Sequence, residues 1–530
     1  MLIVLARWVQ RRFLDVSFLA ILFMIAVAYF QLRSISLEDW DAGSFAIYVR
    51  DGYTSARLYV PYVLFVITGR QLHLATGADA ILILTSLSSV SAVAVLACQY
   101  ATTILLLKEK QVALLATLLL AFSNQFWLPG EEAVSDMFAL SLTSVAVLLA
   151  VLAWRRGNQP LLFASSLAFG ISVGARITQI MFLGIPFVLA MWALPKRKLA
   201  IVPVGIAIGV ICWLVPCWLY YPEVFNSFRS LFPTTGNPLG VLQTTPTAFA
   251  GPPTLQGLLY RFVDWGLVRN YLLYNYGAWF YPQVPALRVV VTLGLIVAVA
   301  IFACANYFKS YTRVKMLYAI WIVPYFISSN LAWEISSEPK VILQILPPIS
   351  AILAFSLLDF SRAIAEKLHQ PKRLGRVLRT GIPALFLCLL LAFTFSNALA
   401  LHSQRSGVDA IADYIRANYT PSQVRIIYAW EWTRLAYYIP QYVEYNLWVI
   451  DPSNWPIILQ ALNESNVKVI LITGQAINLV MQMAQQEGYM LQYREIFSHT
   501  RSDLVNSRDG TDTLYLVTHF AKALGQSLGP

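Results

Sequence analysis

Apolar runs of about 20 residues, separated by short polar segments, dominate roughly the first 400 residues of the chain. A helix needs about 20 apolar residues to cross the hydrocarbon layer, where no water satisfies its backbone groups. The runs lie near residues 14–32, 80–107, 111–129, 132–153, 160–176, 178–194, 200–221, 287–307, 316–333, 340–358 and 381–400. The pattern predicts a polytopic α-helical membrane protein with about eleven transmembrane helices.

The pattern changes after residue 401. Residues 467–474 and 513–520 are short apolar runs typical of strands, and residues 477–489 between them have the spacing of an amphipathic helix. We therefore predict a small α/β domain over residues 402–530, following a transmembrane domain over residues 1–401. This domain contains no GxGxxG and no GxxxxGK[ST] motif, so the sequence assigns it no nucleotide.

The composition supports the bilayer as the main solvent of the chain. Hydrophobic residues make up 58% of the sequence and charged residues 12%, whereas soluble globular proteins carry roughly 25% charged residues. The net charge of +11 comes from basic clusters between apolar runs. That distribution fixes membrane topology and does not follow a nucleic acid backbone, so nucleic acid is excluded as a partner.

The basic clusters predict one orientation, because cytoplasmic loops carry an excess of Lys and Arg. A cytoplasmic N-terminus places all of them inside: Lys108/Lys110, Arg155/Arg156, Lys196/Arg197/Lys198, Lys309/Arg313/Lys315, and Lys367/Lys372/Arg373/Arg376/Arg379. Loops 33–79 and 222–286 and the C-terminal domain are then outside. The stretch 59–76 contains Arg70 and His73, and spanning would move Lys108 outside, so we predict a helix lying at the outer interface.

Acidic residues gather in two clusters at the predicted outer face. Glu38, Asp39 and Asp41 follow the first run, and a second group lies where the third run ends and the fourth begins. The second group consists of Glu131, Glu132 and Asp136. Ionisable groups at membrane depth are costly and mark functional sites. The alternative for any single acid, such as Asp41 or Asp136, is a helix cap.

Arg176 lies between two short apolar runs, again at the predicted outer face. A guanidinium is planar, always charged and able to make several hydrogen bonds, so it suits a lipid phosphate. The alternative is an arginine that extends towards the lipid head groups. Glu334, in the segment NLAWEISSEPK, is a weaker candidate on the same face.

These residues, in this order, resemble the GT-C superfamily of polyprenyl-phosphate-sugar glycosyltransferases, which includes protein O-mannosyltransferases and lipid A aminoarabinose transferases. The resemblance covers roughly residues 14–400. The acid of the first outer loop, followed by an aromatic and a small residue, is similar to DAGSFA, which begins at Asp41. The later acidic turn is similar to residues 131–136, and the basic residue after a short Gly-rich span matches Arg176.

The sequence departs from the family pattern at residues 57–62, which read RLYVPY. Many members carry a His- or Lys-Pro-Pro segment there, whereas this chain keeps only Pro61. The phosphate-handling role of that segment is therefore in question, and Arg57 is the candidate to replace it.

The resemblance implies a lipid-linked sugar phosphate as donor and an acceptor that is a lipid, a glycan or a protein. Asp41 would be the general base, with Asp39 and Asp136 assisting, and Arg176, aided by Arg57, would bind the released phosphate. Additional candidates are Glu131, Glu132 and Glu334. No cofactor is required, although Asp41 and Asp136 suit a divalent ion such as Mg²⁺ or Mn²⁺.

Three other functions compete with this interpretation. A transporter or flippase of lipid-linked sugars should carry polar residues in mid-span and broken helices in two halves. A ligase transferring a whole lipid-linked glycan and a scaffold with an inert membrane part are the others. The short inner loops and the absence of retention signals favour a bacterial inner membrane, with the C-terminal domain in the periplasm.

Overall fold

The structure is a computed structural model that describes most of the chain. The described residues are 2–37, 40–52, 62–195, 198–229, 294, 297–298, 300–302, 312–332, 343–367, 372–403, 405–429, 431–464, 468–500 and 511–522. By its internal contacts the chain divides into two compact units. The helical unit comprises Met1–Arg33, Val60–Gly69 and Thr85–Leu399, and the sheet unit comprises Ser34–Tyr59, Arg70–Leu84 and Ala400–Pro530. The domain boundary at residue 401 stays a prediction.

Helices form most of the described chain. In chain order they are α1 (Leu2–Leu32), α2 (Trp40–Asp51), α3 (Val63–Thr76), α4 (Ala80–Leu107), α5 (Lys110–Ala121), α6 (Asn124–Glu131), α7 (Ser135–Arg156), α8 (Gln159–Ala175), α9 (Gly184–Ala193), α10 (Ile201–Tyr220), α11 (Pro222–Arg229), α12 (Thr312–Ala332), α13 (Leu346–Lys367), α14 (Lys372–Ser403), α15 (Gly407–Asn418), α16 (Trp432–Tyr438), α17 (Trp455–Asn463) and α18 (Gly474–Gln486). A 3₁₀ helix, Ile177–Phe182, links α8 to α9.

The long apolar helices make the chain an integral membrane protein. Within the described residues, five segments are long and apolar enough to cross a membrane: Asp15–Leu32, Ala80–Leu107, Ser135–Arg156, Ile201–Tyr220 and Leu343–Lys367. The α5–α6 pair, bent by 61°, forms a sixth if it is one broken span. Shorter apolar helices cover Gln159–Ala175, Ile177–Ala193 and Thr380–Ala392.

The count of eleven spans is not confirmed. The predicted run at 316–333 corresponds to α12, which does not meet the same length and apolarity test. Most of the run at 287–307 lies outside the described residues. The stretch predicted to lie at the interface forms α3, whose 14 residues rise only about 21 Å and cannot cross a layer of roughly 30 Å. Its interfacial position stays a prediction.

Close helix packing holds the helical unit together at α8 and α10. A Cβ at Gly170 would collide with the carbonyl oxygen of Ile206, so only glycine permits this approach. Trp213 covers Gly174 and donates its indole N–H to the carbonyl oxygen of Gly170 at 3.1 Å. Small residues at such crossings let helix backbones approach closely in a lipid environment.

The sheet unit contains the small sheet predicted for the C-terminal region. Its strands are β1 (Val424–Ile427), β2 (Val469–Thr473), β3 (Tyr489–Thr500) and β4 (Thr511–Lys522), in the order β1-β2-β4-β3. β1 and β2 are parallel, and β4 is antiparallel to both β2 and β3. The predicted strands correspond to β2 and β4 and the predicted helix to α18, so the α/β character of this region is confirmed.

Candidate active site

Asp136 and Arg176 form a buried ion pair in the helical unit. A carboxylate oxygen of Asp136 lies 2.5 Å from a guanidinium nitrogen of Arg176, and the two side chains are 2% and 3% exposed. Asp136 lies in the first turn of α7, and Arg176 is the extended residue between α8 and the 3₁₀ helix. The break in the helix at residue 176 therefore directs a charged side chain into the interior.

This pair differs from both structural alternatives considered from the sequence. Val134 is the N-cap residue of α7, so Asp136 is inside the helix and its carboxylate contacts Arg176. Arg176 is buried, whereas an arginine extending to lipid head groups would be exposed. The guanidinium also lies 5.3 Å from the centre of the Tyr62 ring, within the range of a cation–π interaction.

A chain of buried amides supports the pair. Gln344 donates its side-chain N–H to the backbone carbonyl of Asp136 at 3.0 Å. Gln179 donates to the side-chain oxygen of Gln344 at 3.0 Å and accepts the hydroxyl hydrogen bond of Thr143 at 2.6 Å. None of these three residues is among those predicted from the sequence. The available signal was a polar side chain inside each of three apolar runs, which is costly unless hydrogen-bonded.

The acidic residues of the second cluster have different surroundings. Glu131, at the end of α6, is buried and accepts a hydrogen bond from the indole N–H of Trp127, against which the Tyr29 ring stacks. Within the described part of the chain, the second carboxylate oxygen of Glu131 and the hydroxyl of Tyr29 have no hydrogen-bond partner. Glu132 is only partly buried. Glu131 and Asp136 therefore lie in different environments.

Asp41 belongs to the sheet unit, where it lies in the first turn of α2. The side chain is partly exposed, while the residues from Ala42 to Val49 are all buried. Helix α2 packs against α16 of the same unit. Asp41 therefore lies at the accessible start of a helix whose middle, from Ala42 to Val49, is buried.

Three predicted site residues lie outside the described residues. They are Asp39, Arg57 and Glu334. Among the predicted residues, the structure pairs Asp136 with Arg176 in the helical unit. Glu131 has a different environment within that unit, and Asp41 belongs to the sheet unit. The roles assigned to all of them stay predictions.

The surroundings of Asp136 do not fit a divalent cation. Its carboxylate already contacts the guanidinium of Arg176, whose positive charge would repel a metal ion at the same position. Among the residues with described positions, no three His, Cys, Asp or Glu side chains form a group suited to a metal. That the reaction requires no cofactor, with Mg²⁺ or Mn²⁺ possible at Asp41, stays a prediction.

Two solved structures share the fold of this protein over nearly its whole length. ArnT from Cupriavidus metallidurans, bound to undecaprenyl phosphate, is 13% identical with a TM-score of 0.54, over 95% of this chain and 98% of that chain. The archaeal oligosaccharyltransferase AglB from Archaeoglobus fulgidus, in complex with an inhibitory peptide and a dolichol-phosphate, is 14% identical with a TM-score of 0.53, over 99% of this chain and 75% of that chain.

A structure of the Archaeoglobus fulgidus oligosaccharyltransferase in complex with Zn and sulfate is 13% identical with a TM-score of 0.50, over 91% of this chain and 72% of that chain. No protein-family model matches the chain, and no curated protein matches it. At 13–14% identity this likeness shows a shared fold, and it is the fold that the resemblance to the GT-C superfamily predicts.

Proposed function

We propose that this protein is a membrane glycosyltransferase that moves a sugar from a polyprenyl-phosphate donor to an acceptor hydroxyl. The observation that carries the proposal is the GT-C fold, shared over nearly the full chain with two transferases solved with polyprenyl phosphates. Fold alone does not define chemistry. The proposal therefore also relies on the acid and arginine side chains that this chain supplies.

The proposed reaction is a single displacement with inversion at the anomeric carbon. Asp41 accepts the proton of the acceptor hydroxyl, whose oxygen forms the new bond to the anomeric carbon. The bond from that carbon to the phosphate oxygen breaks, and its electron pair leaves with polyprenyl phosphate. A phosphodiester-linked lipid phosphate is already a good leaving group, so the reaction needs a base and a positive charge and no separate acid.

Arg176 supplies the positive charge in this proposal. Its pairing with Asp136 keeps the guanidinium in one orientation and compensates its burial before the donor binds. When negative charge develops on the leaving phosphate, the preoriented guanidinium stabilises it without reorganisation. Arg57 is the second candidate for this task, and Asp39 is the candidate to assist the base. No step is assigned to a metal ion.

The transfer of a whole glycan is the second candidate function. It is favoured by the similarity to an oligosaccharyltransferase, whose TM-score of 0.53 is almost equal to that of ArnT, 0.54. Both candidates use a polyprenyl-phosphate donor and release a polyprenyl carrier. We place the reaction at the outer face of a bacterial inner membrane, with residues 402–530 in the periplasm.

The test incubates purified protein with radiolabelled undecaprenyl-phosphate hexose, undecaprenyl-phosphate pentose and a lipid-linked oligosaccharide, together with a crude envelope fraction as acceptor. The wild-type protein should release the free lipid carrier from at least one donor, and Asp41→Asn should lose at least about 10²-fold of that rate. Asp413→Asn is the matched control, because Asp413 is a 44% exposed partner of surface arginines and should keep the wild-type rate. Carrier release from none of the donors would contradict the proposal.

A further inference from the structure

Helix α2, which carries Asp41, approaches helix α16 at backbone distance. A Cβ added at Gly43 would lie 2.6 Å from the backbone carbonyl carbon of Thr433 and 2.7 Å from the backbone nitrogen of Arg434. Backbone atoms cannot rotate away as a side chain does. Residue 43 must therefore be glycine for α2 to rest at this depth on α16.

Hydrogen bonds hold α2 on α16 at both ends. Just before α2, the backbone N–H of Leu37 donates to the phenol oxygen of Tyr438 at 2.9 Å. Near its end, Arg50 donates to the backbone carbonyl of Tyr437 at 2.8 Å, and its guanidinium lies 4.6 Å from the centre of the Tyr437 ring. These contacts fix both the position of α2 along α16 and its rotation about its own axis.

The C-terminal end of α2 is fixed by a further residue of the same unit. One guanidinium nitrogen of Arg70 donates to the backbone carbonyl oxygens of Val49 and Arg50 at 2.8 and 2.7 Å. These are among the last carbonyls of α2, which have no partner within the helix. Gly52 ends the helix with φ +67°, the left-handed conformation that favours glycine.

We propose that α16 positions Asp41 for catalysis, with Gly43 and Tyr438 as positioning residues. The C-terminal domain would then be a working part of the active site, since α16 lies within it. The inference rests on the proposed function, in which Asp41 is the general base. Asp41 precedes Gly43 by two residues, about 3 Å along the helix axis, so a displacement at Gly43 reaches the carboxylate almost undiminished.

The expected displacement follows from the contact distance. Ordinary van der Waals contact begins at 3.4 Å, which is 0.8 Å more than the 2.6 Å available to a Cβ at Gly43. Gly43→Ala therefore moves α2 away from α16 by nearly 1 Å. A misplacement of about 1 Å costs on the order of 10²-fold in rate. The loss should appear in kcat, because neither Gly43 nor Tyr438 is among the residues proposed to bind the donor phosphate.

The experiment measures kcat and KM for carrier release by full-length Gly43→Ala, using the donor that the wild-type protein cleaves fastest. Gly381→Ala is the matched control, because a Cβ there meets nothing within 4 Å and both substitutions raise helix propensity equally. We expect kcat of Gly43→Ala to fall about 10²-fold with KM unchanged, and Gly381→Ala to match the wild type.

Tyr438→Phe covers the case in which Gly43→Ala does not fold. It adds no volume and removes the acceptor for the Leu37 N–H, so we expect a kcat loss on the order of tenfold. Hydrogen exchange of the amides of residues 40–51 provides a readout that needs no substrate. Exchange should accelerate in Gly43→Ala and not in Gly381→Ala.

Two outcomes separate failure of this inference from failure of the proposed function. If Asp41→Asn is inactive while folded Gly43→Ala and Tyr438→Phe both keep the wild-type kcat and exchange rates, the positioning role is refuted and the proposed function stands. If Asp41→Asn keeps the wild-type kcat, the role of Asp41 as general base and the positioning inference are refuted, whereas carrier release from none of the donors refutes the proposed function itself.

Discussion

Replacing Arg176 with methionine removes the positive partner of a carboxylate that has almost no access to solvent. Asp136 is 2% exposed and lies 2.5 Å from the guanidinium, so the substitution leaves a buried charge without compensation. Breaking such a pair from one side costs about 3–5 kcal/mol of unfolding free energy. We therefore expect Arg176→Met to be strongly destabilised, independently of any effect on catalysis.

The double variant Asp136→Asn/Arg176→Met separates charge from packing. Both charges are then absent, and replacing a buried pair by neutral groups of similar size is close to neutral for stability. The double variant should recover most of the unfolding free energy that the single variant loses. It should not recover carrier release, because the proposed phosphate-binding charge is still missing.

Denaturant unfolding in one detergent, followed by intrinsic fluorescence, measures the free energy of unfolding of every variant. Arg362→Met is the matched control, because Arg362 pairs with Glu109 at 35% and 30% exposure and should lose less than about 1 kcal/mol. A double variant as unstable as Arg176→Met would refute the argument from buried charge. Equal losses of unfolding free energy in Arg176→Met and Arg362→Met would also refute it.

Two further predictions concern other buried groups. Glu431 lies in the sheet unit, where burial raises the pKa of its carboxyl from 4.5 to about 7. The folded state therefore holds the proton more tightly than the unfolded state. The free energy of unfolding then falls as pH rises from 4.5 to 7. Glu431→Gln should lack the loss of about 3 kcal/mol in unfolding free energy that the wild-type protein shows at pH 8. An unfolding free energy that depends on pH identically in the two proteins would contradict this. Gln344→Leu should lose about 1–3 kcal/mol by unfolding titration, because it leaves the Asp136 carbonyl without its side-chain donor; wild-type stability would contradict that role.

The sequence predicts the fold class because each signal is local. Continuous apolar runs predict most helices of the helical unit, and short apolar runs after residue 401 predict β2 and β4. The number of spans is harder to predict, because the apolar run at 111–129 is divided between α5 and α6, which are bent by 61°, and the run at 178–194 is divided between a 3₁₀ helix and α9. Helix breaks arise from tertiary packing, which apolar periodicity does not record.

The site could be predicted only residue by residue. The sequence predicts that Asp136 and Arg176 are each functional, because each is a charged residue at membrane depth. Nothing in their local sequence shows that they pair. The contribution of Gln344 depends on a contact across 208 positions of the chain. The hydrogen bond from Leu37, just before α2, to Tyr438 of α16 joins residues 401 positions apart. Contacts at such separations follow from the fold and not from local pattern.

The most direct test of the proposed activity asks whether the donor bond breaks. Proteoliposomes containing the purified protein would receive undecaprenyl phosphate joined to a radiolabelled sugar in one leaflet, with an acceptor on the opposite side or on the same side. We expect sugar on the acceptor, inverted at the anomeric carbon, together with an equal amount of free undecaprenyl phosphate, and neither product with Asp41→Asn. Labelled lipid that reaches the other leaflet with its phosphate–sugar bond intact, and no free carrier, would contradict it.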